Sequence, residues 1–390
     1  MSKTQHFDIL IVGAGLSGAS LACALRGSRY RIGLVERQRP QAAAGWDARI
    51  YAVSPANVDF LRRCGIWDHL DADRIGPVER MDVSGDAGGR LAFSAYECGM
   101  QSLASIVEAG RMASELWETA RRQPNIEILC PAEPAALDFR PEAARLRLSD
   151  GRECQASLVV GADGVNSWVR GQTRIQAHLR PYEELGVVAN FACERPHAGT
   201  AFQWFREDGI LAWLPLPGNR FSIVWSTPDA QADAMLALSP EAFTAKVAEA
   251  GGHRLGKLEL LTPAAGFPLR FMKLDSTVAS RLALIGDAAH AVHPLSGHGI
   301  NLGFQDARAL ADRLLALPAF RDCGDENVLR AWQRARAEET LLVRELTDGL
   351  HRLFKPSSGP LSLLRNAGLS LAGSISPLRS VLARYAAGLT

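Results

Sequence analysis

Apolar residues fall along this chain in two periods. "FDILIV" (Phe7–Val12) and "RLALIGD" (Arg281–Asp287) are short, largely apolar runs, the pattern of parallel strands buried on both faces. Each is followed by small residues and then by a helical period. After the first comes "LSGASLACALR"; after the second comes "NLGFQDARALADRLLAL", in which Ala307, Leu310, Ala311 and Leu314 share one face. "RIGLVE" reads as a further strand that closes at Glu36. From Arg180 to Asp275 the pattern changes. "TAFQWF", "GILAWLPL" and "FSIVWST" are short aromatic and β-branched runs separated by "REDG" and "PGNR", which predicts antiparallel hairpins. Alternation sends some of Phe202, Trp204, Phe205, Trp213 and Trp225 into the packing of that sheet and others toward a cavity, with packing the expected role for each.

These patterns predict an α/β protein in two domains, one inserted in the other. The α/β domain takes residues 1–75, 101–179 and 276–350, and the inserted antiparallel sheet takes 76–100 and 180–275. A C-terminal helical tail covers 351–390. The length of 390 residues and a 47% hydrophobic content agree with more than one core.

Charge changes the picture in one place. Lys plus Arg is 43 against 42 for Asp plus Glu, so the chain carries +1 and no field that would draw a nucleic acid; small or apolar ligands fit better. After Asp348, however, no acid occurs, and Arg352, Lys355, Arg365, Arg379 and Arg384 lie among Leu, Ala and Val, so the tail is +5 and the remainder −4. A basic amphipathic tail is a candidate for peripheral contact with anionic lipid or with an acidic partner in a biosynthetic complex. The plain alternative is a packed terminal helix with solvated arginines. Seven cysteines without a C-x-x-C pair fit neither a disulfide framework nor a zinc site, and no metal site is predicted. The first strand begins within ten residues of Met1 and no apolar run reaches about 18 residues, so a cytoplasmic location is expected.

Gly13, Gly15 and Gly18 follow the first strand in G-x-G-x-x-G spacing. The first makes the tight turn, the second lets backbone amides approach a pyrophosphate, and the third lets helix and strand pack closely, in a Rossmann-like arrangement. Glu36 would then accept hydrogen bonds from an adenosine ribose. The spacing leaves open which dinucleotide binds. A second glycine-rich turn, "GDAAHAVHPLSGHGINLGFQDA" (Gly286–Ala307), aims a helix N-terminus at its ligand, where free N–H groups would stabilise the negative charge a reduced flavin carries on its pyrimidine edge. Asp287, at the end of its strand, could hold a ribityl hydroxyl.

Together "GAGLSG", "GADGVNSWVR" (Gly161–Arg170) and the Gly286–Ala307 stretch resemble, in order and spacing, the three motifs of the single-component FAD-dependent aromatic hydroxylases. Within that family the chain is most similar to the ubiquinone-biosynthesis hydroxylases, through "DARIYAVSPANVDFLRRCGIW" (Asp47–Trp67), "HPLSGHGINLGFQDA" and the tail from Leu353 on. The resemblance implies that Gly13, Gly15, Gly18 and Glu36 hold the ADP half of FAD, and that Arg49 and Arg111 reach its phosphates or ribityl chain. It implies that Asp287 holds the ribityl chain, that Gly299, Ile300 and Asn301 bring their backbone to the pyrimidine edge, and that Asp163 touches both FAD and passing NADPH. His298 departs from the family, which has Gln there.

The activity so implied is NADPH- and O2-dependent hydroxylation of an aromatic ring, a prenylated phenol, through a flavin C4a-hydroperoxide that survives only where water is excluded. His293 and His298 are the candidate bases for the phenolic proton. A second reading keeps FAD but halogenates or reduces a prenyl chain; "ILAWLPLPG" only partly echoes the W-x-W-x-I-P halogenase signature. A third makes the chain a low-turnover flavin-binding scaffold.

Overall fold

The computed structural model describes residues 4–293, 297–354, 365–367 and 369. Its first layer is a sheet whose central strands are parallel. Gln5–Val12 lies between Ile32–Val35 and Glu153–Gly161, with Ile126–Leu129 beyond the former and Leu282–Leu284 beyond the latter. Ile9, Leu10 and Ile11 have no exposed area, as expected of a run covered on both faces. One face packs on Leu16–Ala24, Ala109–Arg121 and His298–Leu315. The other is closed by the antiparallel strands Pro134–Phe139 and Ala144–Leu148.

A second sheet orders Leu258–Leu260, Ala177–Cys193, Arg220–Pro228, Gly209–Leu216, Thr200–Arg206, Arg80–Ser84 and Arg90–Ser94, with Ala265–Leu274 also against Ala177–Cys193. It is antiparallel except where Thr200–Arg206 runs parallel to Arg80–Ser84, the chain segment that arrives from far upstream. One face is covered by Asp229–Leu236 and Pro240–Ala250, and there Trp213 and Trp225 lie 1% exposed in a continuous core. Phe205 turns the opposite way and stacks on Phe354 of the C-terminal helix, ring centroids 3.7 Å apart.

Ile50–Val53, Ala104–Glu108 and Gly76–Val78 form a third, three-stranded sheet between the two. Residues 76–78, grouped above with the inserted sheet, pair here with Ala104–Glu108. The 179/180 division falls inside one continuous strand, Ala177–Cys193. That strand and Ala265–Leu274 carry the chain from one sheet region into the other.

The C-terminal helix Glu326–Phe354 runs past the expected tail boundary at 351. Most of the tail, with Lys355, Arg379 and Arg384, lies outside the described residues. Of its other cations, Arg352 pairs with Asp348 at 2.7 Å, and Arg365 is 7% exposed and paired with Asp86. These two are not uncommitted charges for a lipid surface. Among the described residues no helix is long and apolar enough to cross a membrane. All seven cysteines are free thiols, five of them buried.

Candidate active site

The three glycine-bearing turns meet at the C-terminal ends of the parallel strands. Gly13 has φ +101°, and a Cβ there would sit 2.5 Å from the Ala162 carbonyl oxygen, so the first motif is packed onto the second. A Cβ on Gly18 would collide with the Gly13 carbonyl and stand 3.0 Å from Ala162 Cβ. A Cβ on Gly286, φ +58°, would stand 2.5 Å from Ser17 Oγ, which joins the third motif to the first helix. Gly15 differs from all of these. Its φ of −64° suits any residue, and a Cβ would meet nothing within 4 Å. Neither backbone conformation nor internal packing demands glycine there, whereas close approach of a ligand backbone does. Gly299, in the first turn of His298–Leu315, likewise has nothing within 4 Å of its Cβ position. Both helices begin at a glycine N-cap that offers no side chain, so among the described residues no capping side chain takes their first N–H groups. This pair of open glycines at uncapped helix starts fits a pyrophosphate at one end and an electron-rich ring edge at the other. The residues present therefore fit FAD.

Glu36 closes the first unit. Its Oε2 accepts from Ala14 N at 2.7 Å, and Oε1 accepts from Arg37 N and Gln38 N at 2.8 and 3.2 Å, which fixes the carboxylate beside the Gly13–Gly15 turn.

Arg49 is held by residues that sequence reasoning missed. Asp47 Oδ1 accepts from Arg49 N at 2.8 Å and Asp47 Oδ2 from Gly110 N at 3.0 Å. Glu108, 1% exposed, accepts from Asp47 N at 2.7 Å and from both Arg74 and Arg111 at 2.7–2.9 Å. Arg111 is thus already ion-paired through its Nε. Asn190 Nδ2 donates to the Asp47 carbonyl at 2.8 Å, tying the loop to the second sheet. Arg49 itself is exposed and within electrostatic reach of Tyr51 and Asp287. Burial pushes the Tyr51 phenol above its usual range against the pull of Arg49, so it stays protonated near neutrality. Asp287 is exposed by area yet walled by surrounding protein. Those walls raise its carboxyl, and His290 and Arg49 pull it back only in part. Arg49 and Tyr51, two residues apart, thus meet Asp287 from more than 230 residues further along the chain.

Asp163 caps the short helix after it. Its Oδ1 accepts from Ser167 Oγ at 2.5 Å and its Oδ2 from Val169 N at 3.0 Å. Arg170 donates to the Ala288 carbonyl at 2.8 Å and fastens the second motif to the third. The Asn301 side chain is wholly engaged: Oδ1 accepts from Ser54 N and Asn57 Nδ2, and Nδ2 donates to the Ala52 and Gly297 carbonyls, all at 2.8–2.9 Å. Its backbone carbonyl also accepts from Asn57 Nδ2 at 3.3 Å. His290 pairs with Asp306 at 2.6 Å. Burial raises the Asp306 carboxyl, but His290, Arg336 and the Gly286 N–H outweigh that and hold it below the usual range.

The His293 ring has no exposed area, and its Nε2 faces Glu184 Oε2 at 3.4 Å, enclosed with Tyr182 and His351. The side chain of His298 lies outside the described residues.

A parallel sheet with a glycine turn at each cofactor end, joined to a largely antiparallel roof, defines the class of flavin-dependent monooxygenases. The chain belongs to the FAD binding domain family, whose model matches residues 6–342. It is similar to ubiquinone hydroxylase UbiL of Rhodospirillum rubrum, at 34% identity over 99% of this chain and 91% of the relative. It is also similar to 3-demethoxyubiquinol 3-hydroxylase of Escherichia coli, at 31% over 99% of both. Among solved structures, Pseudomonas aeruginosa PqsL in complex with 2-aminobenzoylacetate superposes with a TM-score of 0.78 and 26% identity, over 94% of this chain and 99% of that one. The protein is an FAD-dependent monooxygenase.

Proposed function

We propose that the protein hydroxylates a phenolic ring bearing a prenyl chain, in ubiquinone biosynthesis, with NADPH and O2 as co-substrates. The observation that carries this reading is the meeting of the first and third glycine turns at Ser17 and Gly286, with Arg49 in electrostatic reach of Asp287 and the Arg49 loop tied to the roof sheet through the Asn190–Asp47 bond. The hydroxylase names of relatives that align over nearly the whole chain give its chemical direction.

In this reading Gly13, Gly15, Gly18 and Glu36 hold the ADP half of FAD. Arg49 and Arg111 serve its phosphates or ribityl chain, Asp287 the ribityl hydroxyls, Asp163 the second motif's contact, and the backbone of Gly299, Ile300 and Asn301 the pyrimidine edge. FAD, when bound, supplies electron transfer from NADPH and the activation of oxygen. The chain supplies orientation and dryness. On the sheet face opposite the helices, Ala212, Leu214 and Val224 are partly exposed and apolar, a surface suited to an aromatic ring and an isoprenoid chain. Tyr51 keeps its proton and acts as a donor. His293 sits too deep to take the phenolic proton.

We assign residues 1–75, 101–179 and 276–350 to cofactor binding and 76–100 and 180–275 to the roof, save that 76–78 join the three-stranded sheet between them and the strand Ala177–Cys193 spans the 179/180 boundary. The tail beyond Phe354 is assigned to peripheral contact with anionic lipid, where a prenylated substrate resides. The test is oxygen uptake by the FAD-loaded protein with NADPH, with and without a prenylated phenol. Stimulated uptake with a hydroxylated product supports the reading; NADPH oxidation that no such phenol stimulates sinks it.

A further inference from the structure

Ala177–Cys193 pairs with Ala265–Leu274 in two registers. Pro181 faces Arg270 and Leu185 faces Pro268, so Tyr182, Glu183 and Glu184 together stand opposite Leu269 alone. This is a β-bulge, and within it Glu183 takes φ +61°, a left-handed conformation that non-glycine residues adopt at a cost of about 1–3 kcal/mol. The bulge lies at the elbow where the strand, paired only with 270–274 through residues 177–181, begins to pair with Arg220–Pro228. Its effect is to turn Tyr182 and Glu184 inward while Glu183 stays exposed.

Glu184, its side chain 11% exposed, meets two histidines from two other parts of the chain. Oε2 lies 3.4 Å from Nε2 of His293, four residues before Gly297, the N-cap of the helix assigned to the pyrimidine edge. Oε1 lies 2.8 Å from Nε2 of His351 on the C-terminal helix. Tyr182 sets its ring edgewise on both imidazoles at 5.0 and 4.7 Å, and its hydroxyl donates to Asp348 at 3.1 Å. Asp348 is neutralised by Arg180 and Arg352 at 2.5 and 2.7 Å. A carboxylate so shielded from water is stable only while imidazole N–H groups face it, so the trio holds only when roof elbow, flavin loop and C-terminal helix are all docked.

We infer that Glu184 is a positioning residue, the pin that fixes His293, at the near end of the third motif, against the roof and the C-terminal helix. The inference rests on the proposed hydroxylation. Its consequence is for coupling: a loop displaced by about 1 Å admits water and misaligns the substrate, which can cost about 100-fold in productive reaction. Electron transfer from NADPH asks less of that closure. The pin also links the C-terminal helix, through His351, to His293.

The experiment uses FAD-loaded wild type, Glu184→Ala, Glu184→Gln, His351→Ala and the double variant Glu184→Ala/His351→Ala. Measured are thermal stability, FAD affinity, product formed per NADPH oxidised across pH, and amide hydrogen exchange of the 289–301 segment in the FAD-free protein. The inference predicts FAD affinity within about twofold of wild type and NADPH oxidation retained. It predicts a fall in product per NADPH of about tenfold or more in Glu184→Ala and His351→Ala, with the double variant no worse than either. Glu184→Gln, which keeps one imidazole contact, recovers part of the coupling, and exchange in 289–301 quickens in Glu184→Ala. If either alanine variant fails to fold, Glu184→Gln and the exchange measurement decide. Folded variants with wild-type coupling and wild-type exchange overturn the inference, as does a stoichiometric divalent metal that dialysed wild type retains and Glu184→Ala loses. Wild type that forms no hydroxylated product sinks the function instead, and the exchange result then still stands or falls alone.

Discussion

Gly15→Ala separates cofactor binding from folding, because Gly15 is glycine for neither conformational nor packing reasons. Its φ of −64° and ψ of −179° suit alanine, and the added methyl would touch no protein atom within 4 Å. As a helix N-cap, alanine costs the fold no more than a fraction of a kcal/mol relative to glycine, about the size of the weaker cap effects. Against a dinucleotide pressed onto that backbone, the same methyl is an overpacking error of about 1–3 kcal/mol. At 1.4 kcal/mol per decade this weakens FAD binding by about 5- to 150-fold. Gly13→Ala is the internal control. With φ +101° and the Ala162 oxygen 2.5 Å from the new carbon, it damages the FAD-free fold itself by about 1–3 kcal/mol or more. The assay is flavin-fluorescence titration of the FAD-free variants, paired with their thermal melts. A Gly15→Ala protein that binds FAD like wild type refutes the cradle, and one that melts as early as Gly13→Ala refutes the division of labour between the two glycines.

Three further outcomes follow from the geometry. Asn301→Ala removes four hydrogen bonds, three that anchor the third-motif helix to Ala52, Ser54 and Asn57 and one to its own N-cap Gly297, and should cost about 2–4 kcal/mol in denaturant melts; a loss under about 1 kcal/mol contradicts that anchoring. Burial raises the Glu184 carboxyl, but hydrogen bonds from His293 and His351 outweigh it and hold it at about 2 against an ordinary 4.5. Its stabilisation is therefore complete above about pH 4.5 and lost as pH falls toward 2, and acid titration of Glu184→Gln should lack up to about 3 kcal/mol of the wild-type dependence in that window. Removing residues after Pro356 should reduce co-sedimentation with anionic vesicles while leaving a folded protein; unchanged binding rules out the lipid role of the tail.

What the sequence made legible was local. The apolar strands, the glycine spacing and the buried face Ala307–Leu310–Ala311–Leu314 each need only a few neighbouring residues, and each stands in the structure as expected. The third-motif helix begins at His298 rather than Asn301, because Gly297 at φ +65° provides a start that no capping side chain announces. The supports of the site were not legible. Asp47, Arg74 and Glu108 converge from three segments, and Tyr51 joins Arg49 and Asp287 only once the strands are aligned. The bulge at Glu183 was hidden for another reason: a left-handed glutamate carries no signal in composition or periodicity, and without it nothing brings Glu184 to His293. His293 is a candidate base from its loop setting alone, and its enclosure by Glu184, Tyr182 and His351 comes from segments distant in sequence.

The central claim is that this site, loaded with FAD, places an atom of molecular oxygen on a prenylated phenol. Turnover of the FAD-loaded protein under 18O2 with NADPH, followed by mass spectrometry of the product, tests it most directly. The account predicts one 18O atom per hydroxylated product and none when the label is carried by water. Product labelled from water, or NADPH consumed with the ring unchanged, would contradict it.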